Sequence, residues 1–81
     1  MIKLLYFAAL VDKLGLASEE IELPDKVSDV RGIVQILKQR GGAWNEVFGK
    51  DALRITVNKQ FSDLTTPIKN GDELAFISAW L

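Results

Sequence analysis

Asn70-Gly71-Asp72-Glu73-Leu74-Ala75-Phe76-Ile77-Ser78-Ala79-Trp80-Leu81 is the stretch on which the fold turns. Asn-Gly-Asp spells a tight turn, because glycine accepts a positive φ at little steric cost and Asn and Asp bond their own backbone. The apolar run Leu74-Ala75-Phe76-Ile77 follows at once and reads as a buried strand. Ser78, Ala79, Trp80 and Leu81 then form a short tail leaving the end of that strand, so a chain end carried by a core strand is the organising feature.

Outward from this segment, Leu53-Arg54-Ile55-Thr56-Val57 alternates and is β-branched, which predicts a strand with Leu53, Ile55 and Val57 inward. Asn58-Lys59-Gln60 turns into a short piece around Phe61, residues 63–67 connect, and Ile68 plugs the core. At the other end, Ile2 to Phe7 is a strongly apolar first strand. Ala8 to Leu14 has helical spacing, with Gly15 as its C-cap. Glu19-Glu20-Ile21-Glu22-Leu23 alternates with Ile21 and Leu23 inward, and Pro24 closes this half-exposed strand, which pairs antiparallel with the first.

Ser28 is the expected N-cap of the main helix, with Asp29 in its first turn. Val30, Ile33, Val34 and Leu37 fall at i, i+3, i+4 and i+7 and make one apolar stripe. Gly41-Gly42 ends the helix, and Trp44, Val47 and Phe48 suggest a further helical turn. Gly32 inside the helix costs about 1 kcal/mol relative to alanine; close approach to the sheet or exposure to solvent would each account for it.

Eighty-one residues, 48% of them hydrophobic and 26% charged, fit a single domain over residues 1–81 with a tail at 78–81. The order strand, helix, strand, long helix, short helix, strand, short strand, strand requires one long helix covered by four or five strands. That is an α+β layout. A mixed sheet with parallel central first and last strands satisfies it, which is the β-grasp.

A net charge of −1 leaves no basic field for nucleic acid or an anionic membrane. No apolar run approaches the roughly 18 residues of a membrane span, and the N-terminal run is too short for a signal peptide. A cytoplasmic location is expected. With no Cys and no His, the thiol nucleophile, the commonest metal ligand and the usual neutral-pH base are missing. The sequence therefore predicts no independent catalysis and no bound cofactor.

The period of two sorts the strand residues into two faces. Leu4, Tyr6, Leu53, Ile55, Val57, Leu74 and Phe76 face the helix together. Lys3, Leu5, Phe7, Arg54, Thr56, Asn58, Ala75 and Ile77 share the outer face. Leu5, Phe7, Ala75 and Ile77 are apolar there and adjacent, beside the chain end, and Phe61 can extend them. Such a patch is either a partner surface or is covered by the short helix or the tail. Trp80 likewise reads as a partner anchor or as a flap over its own sheet.

Met1-Ile2-Lys3-Leu4-Leu5-Tyr6-Phe7-Ala8, Val57-Asn58-Lys59-Gln60-Phe61 and Pro67-Ile68-Lys69-Asn70-Gly71-Asp72-Glu73-Leu74-Ala75-Phe76 resemble the small-subunit family of molybdopterin synthase, over almost the whole chain. The resemblance implies a ubiquitin-like β-grasp sulfur carrier acting in molybdenum cofactor biosynthesis as a non-catalytic subunit. It implies two partners, the large catalytic subunit and an ATP-dependent activating enzyme that converts the terminal carboxylate to a thiocarboxylate. It also implies that Phe7, Phe61 and Ile77 belong to the partner surface.

The family ends in Gly-Gly, whereas this sequence runs Phe76-Ile77-Ser78-Ala79-Trp80-Leu81 and has its Gly-Gly at 41–42. A narrow tunnel admits backbone without Cβ, and Trp80-Leu81 is bulky, so the expectation is a chain that binds without being activated. A non-carrying interaction module on a β-grasp scaffold and a thiamine-pathway sulfur carrier are the alternatives.

Overall fold

The computed structural model describes residues 1–49 and 53–78. Its elements are β1 (Ile2–Ala8), α1 (Ala9–Leu14), β2 (Ser18–Ile21), α2 (Val30–Lys38), α3 (Ala43–Phe48), β3 (Arg54–Val57), β4 (Gln60–Ser62) and β5 (Glu73–Ser78). The strands form one five-stranded sheet in the order β2-β1-β5-β3-β4. β1 and β5 pair in parallel from Lys3↔Glu73 to Ala8↔Ser78, and the other pairings are antiparallel. The apolar first and last strands are thus the central ones, and the β-grasp expected from the sequence is the fold observed.

The stripe of α2 is buried at Val30, Ile33, Val34 and Leu37, against Leu4, Tyr6, Leu74 and Phe76 from the sheet and Ile68 from the segment before β5. The helix starts one residue later than expected. Asp29, not Ser28, is the N-cap, and its Oδ1 accepts from the Gly32 amide at 3.1 Å. Ser28 is held outside the helix because its carbonyl accepts from Ile68 N, and Val30 N in turn donates to Thr66 O. Gly32 makes a close approach, but to the preceding loop rather than the sheet: a Cβ there would lie 2.6 Å from Val27 Cγ1.

α3 closes one end of the core with aromatic rings. Trp44 meets Tyr6 edge-on at 5.4 Å, and Phe48 meets Phe76 the same way at 5.1 Å. Such pairs add about 0.5–1.5 kcal/mol beyond their burial.

β2 begins and ends earlier than the alternation suggests, because Leu5↔Ser18 and Ile2↔Ile21 are the limits of its pairing with β1. Glu19, two residues before Ile21, shares its inner face. There it accepts three hydrogen bonds, from Tyr6 Oη at 2.8 Å, Arg40 Nη1 at 2.8 Å and Arg40 Nη2 at 2.9 Å. The Arg40 guanidinium also lies 4.4 Å from the centroid of the Trp44 ring, a cation–π arrangement. This cluster ties β1, β2, the segment after α2 and α3 together.

The Arg40 fork lowers the pKa of the Glu19 carboxyl, with a smaller lowering from Tyr6 that burial partly opposes. Burial chiefly, and then Glu19, raises the Tyr6 phenol, which remains a neutral donor. A carboxylate depressed in the folded state contributes stability that is complete above its unfolded pKa and is lost as pH falls through the folded one. Glu19→Gln should therefore cost about 1–3 kcal/mol at neutral pH, and the gap to the parent should close on acidification below the folded-state pKa. Urea unfolding at both pH values checks this; a gap that stays constant with pH would contradict it.

Candidate partner-docking face

The outer face is built by the sheet register. One row reads Leu5, Ala75, Thr56 and Phe61, and the next reads Phe7, Ile77 and Arg54. Phe61 is 74% exposed and Phe7 45% exposed, while Leu5 and Ile77 are half-buried. Among the described residues, neither α1 nor α3 covers this face at Phe7 or Phe61; the tail, the other cover considered from the sequence, lies outside the described residues. Because β1 and β5 are parallel, Phe7 and Ile77 lie at the same end of the sheet, where the chain leaves β5.

Two expected site residues sit differently. Ala75 is on the outer face but only 6% exposed; its methyl group lies between the larger Leu5 and Thr56 in the same row, so it is a floor rather than a contact surface. Ser78, expected to open the tail, is the last residue of β5, paired with Ala8 and buried on the inner face, with its Oγ lacking a partner among the described residues. The remaining tail residues named from the sequence, Ala79, Trp80 and Leu81, lie outside the described residues.

The two sequence segments flanking this face converge on one polar clamp. Asn58 and Lys59 both have positive φ, 51° and 71°, the mark of a tight type I′ hairpin turn. Asn58 Oδ1 accepts from Glu73 N at 3.0 Å, and its Nδ2 donates to Asp72 Oδ1 at 3.0 Å. Asp72 Oδ2 accepts from Lys69 N at 2.9 Å. The Asn58 amide is the main reason that the buried Asp72 carboxyl is held below its ordinary range. The clamp fixes where β5 begins, and so which of its side chains reach the outer face. It is a positioning device with both carboxylate oxygens already engaged.

An open cleft of about 570 Å³ lies between β4 and the segment before β5, lined in part by Gln60, Ser62, Thr66 and Asp72. No group of three or more metal-ligating side chains occurs among the described residues. Among the described residues, no helix is long and apolar enough to cross a membrane. What the arrangement offers chemically is an apolar surface on paired strands beside the end of β5.

The face and the clamp should separate cleanly in stability. Phe61→Ser should shift unfolding free energy by no more than about 0.5 kcal/mol, whereas Asn58→Ala should lose about 1–3 kcal/mol by leaving Asp72 underpaired. Chemical denaturation of the two variants gives the comparison. A large loss at Phe61 would mean that the ring is covered in the folded protein.

The sequence profile of the ThiS family matches residues 4–80. The chain is 30% identical over 76 residues to the molybdopterin synthase sulfur carrier subunit of Haemophilus influenzae, covering 94% of this chain and 91% of that protein. A solved structure from Pyrococcus furiosus, provisionally described as molybdopterin converting factor subunit 1, superposes with a TM-score of 0.76 at 26% identity, over 95% of this chain and 94% of that one. A chain in the complex of subunits 1 and 2 of molybdopterin-converting factor from Helicobacter pylori shares the fold, with a TM-score of 0.69 at 21% identity over 99% of this chain and 95% of that one.

Proposed function

The chain belongs to the ThiS family, and from that premise we propose that it is the sulfur-carrier-type small subunit of a molybdopterin synthase, serving molybdenum cofactor biosynthesis in the cytoplasm. The observation that supports this most is the exposed row of Phe7 and Ile77 with Phe61 beside it, set on rigid strands at the end where the chain leaves β5. In this reading Phe7, Phe61 and Ile77 dock on the large catalytic subunit, Ala75 supports them from below, and the chain is a single domain that presents its C-terminal residues to that subunit.

The chemistry then belongs to the chain end rather than to a side chain. An activating enzyme joins the terminal carboxylate to AMP from ATP, releasing pyrophosphate. Sulfide-level sulfur then forms the C–S bond as the C–O bond to AMP breaks, and after that sulfur has bonded to the pterin precursor in the large subunit, water cleaves the C–S bond and restores the terminal carboxylate. No Cys or His is required of the carrier. The body supplies orientation, and the tail supplies reach.

Docking and carriage are separable, because the first uses strands and the second a free end. Ile77→Asp should leave the fold intact and weaken binding to the large subunit by several kcal/mol, since a carboxylate would be desolvated without a partner. Equal affinities for variant and parent in titration calorimetry would remove this face from the interface.

For a chain terminating in Trp80-Leu81, the same face supports binding without carriage. Incubated with the activating enzyme, ATP and a sulfur donor, that chain should keep its mass. A version in which Ala79-Trp80-Leu81 is replaced by a segment ending in Gly-Gly should gain the difference between one sulfur and one oxygen. Intact-mass spectrometry reads both, and an equal gain by the two chains would show that Gly-Gly is dispensable here.

A further inference from the structure

We infer that Arg54 is the electrostatic anchor of the outer face, and that the protein docking there meets it with a carboxylate. The inference rests on the reading of this face as the docking surface for a large subunit. Register places Arg54 opposite Ile77, which is itself opposite Phe7. A single exposed guanidinium therefore completes the row of apolar residues at the end of the sheet where the chain leaves β5.

Its charge stands apart from the others on the sheet. Lys3, also on the outer face, lies between Glu20 on β2 and Glu73 on β5, so acids flank it on both sides. Arg54 faces Ile77 instead. The ion pairs among the described residues are Lys13–Glu46 and Arg40–Glu19, and neither involves it. Asp63, which follows β4, is turned to its own loop, where its Oδ1 accepts from Thr65 N and Thr65 Oγ1.

A partner seated on Phe7, Ile77 and Phe61 would strip water from this guanidinium. Desolvating a charge is unfavourable unless an opposite charge with good geometry replaces the water. The planar fork of arginine suits a carboxylate in two-point contact. The apolar residues give area without direction, whereas an Arg–carboxylate pair fixes the orientation of the body on its partner and speeds encounter. With an overall charge of −1, the chain has no general basic field to mask this local effect.

The test measures association and dissociation rates of the full chain with the large subunit of molybdopterin synthase from the same genome, at about 0.02 M and about 0.5 M salt. Arg54→Glu should associate roughly tenfold or more slowly at low salt, with the gap narrowing at high salt. Arg54→Lys should keep most of the association rate and dissociate faster, because charge is retained and the fork is lost. Phe61→Ser reports on the face itself without changing charge. If Phe61→Ser weakens binding while Arg54→Glu matches the parent, or if the Arg54→Glu deficit is independent of salt, the anchor is wrong and the docking face stands. If the parent fails to bind, or Phe61→Ser binds as well as the parent, the docking face falls and the anchor with it.

Discussion

The pleat of the three central strands is the constraint from which the rest follows. Along β1, β5 and β3, every second side chain enters the core under α2 and the intervening ones face outward. In β5 both sets are apolar: Leu74 and Phe76 inside, Ala75 and Ile77 outside. Hydrophobicity alone does not select between them, and a slip of one residue would exchange the faces. Polar contacts make the choice. Asn58 grips Asp72 and Glu73, Lys3 N donates to Asp72 O, and Gly71 N donates to Met1 O. The apolar surface of the outer face is therefore set by hydrogen bonds at the opposite end of the strand.

Much of this was legible in the sequence because it is periodic. The order of elements, the buried stripe of α2, the central pairing of first and last strands and the sorting of faces all follow from spacings of two and of three to four residues. What escaped depends on partners distant in the chain. Ser28 has the chemistry of a cap, yet its backbone is taken by Ile68, and Asp29 caps instead. Alternation puts Glu19 on the face of Ile21, but its partners Tyr6 and Arg40, the latter 21 residues away, are set by the tertiary fold and not by any local spacing. Ala75 is on the predicted face, but its burial depends on the size of its neighbours, which periodicity does not encode. Ser78 reads as tail because serine is polar; pairing with Ala8 carries the strand through it.

The division of labour within the molecule has a physical basis. A docking surface is most selective when its side chains hold fixed positions, and strands locked on both sides provide that at little entropic cost on binding. β5 has β1 on one flank and β3 on the other. Ile77 and Ser78 are consecutive residues of that doubly flanked strand, so the outer apolar row and the end of β5 keep a fixed separation.

The sheet order also bears on how the protein is made. β5 is the last of the described strands but lies in the middle of the sheet. While the chain is being translated, the β1–β2 and β3–β4 pairs can form, yet β1 and β3 each present an open edge to the gap between them. Open edges recruit other strands, and incomplete chains with exposed apolar surface are prone to aggregate. A product cut short before Glu73 would lack the element that joins the two halves. The two halves therefore join into one sheet only once the chain has been synthesised through β5.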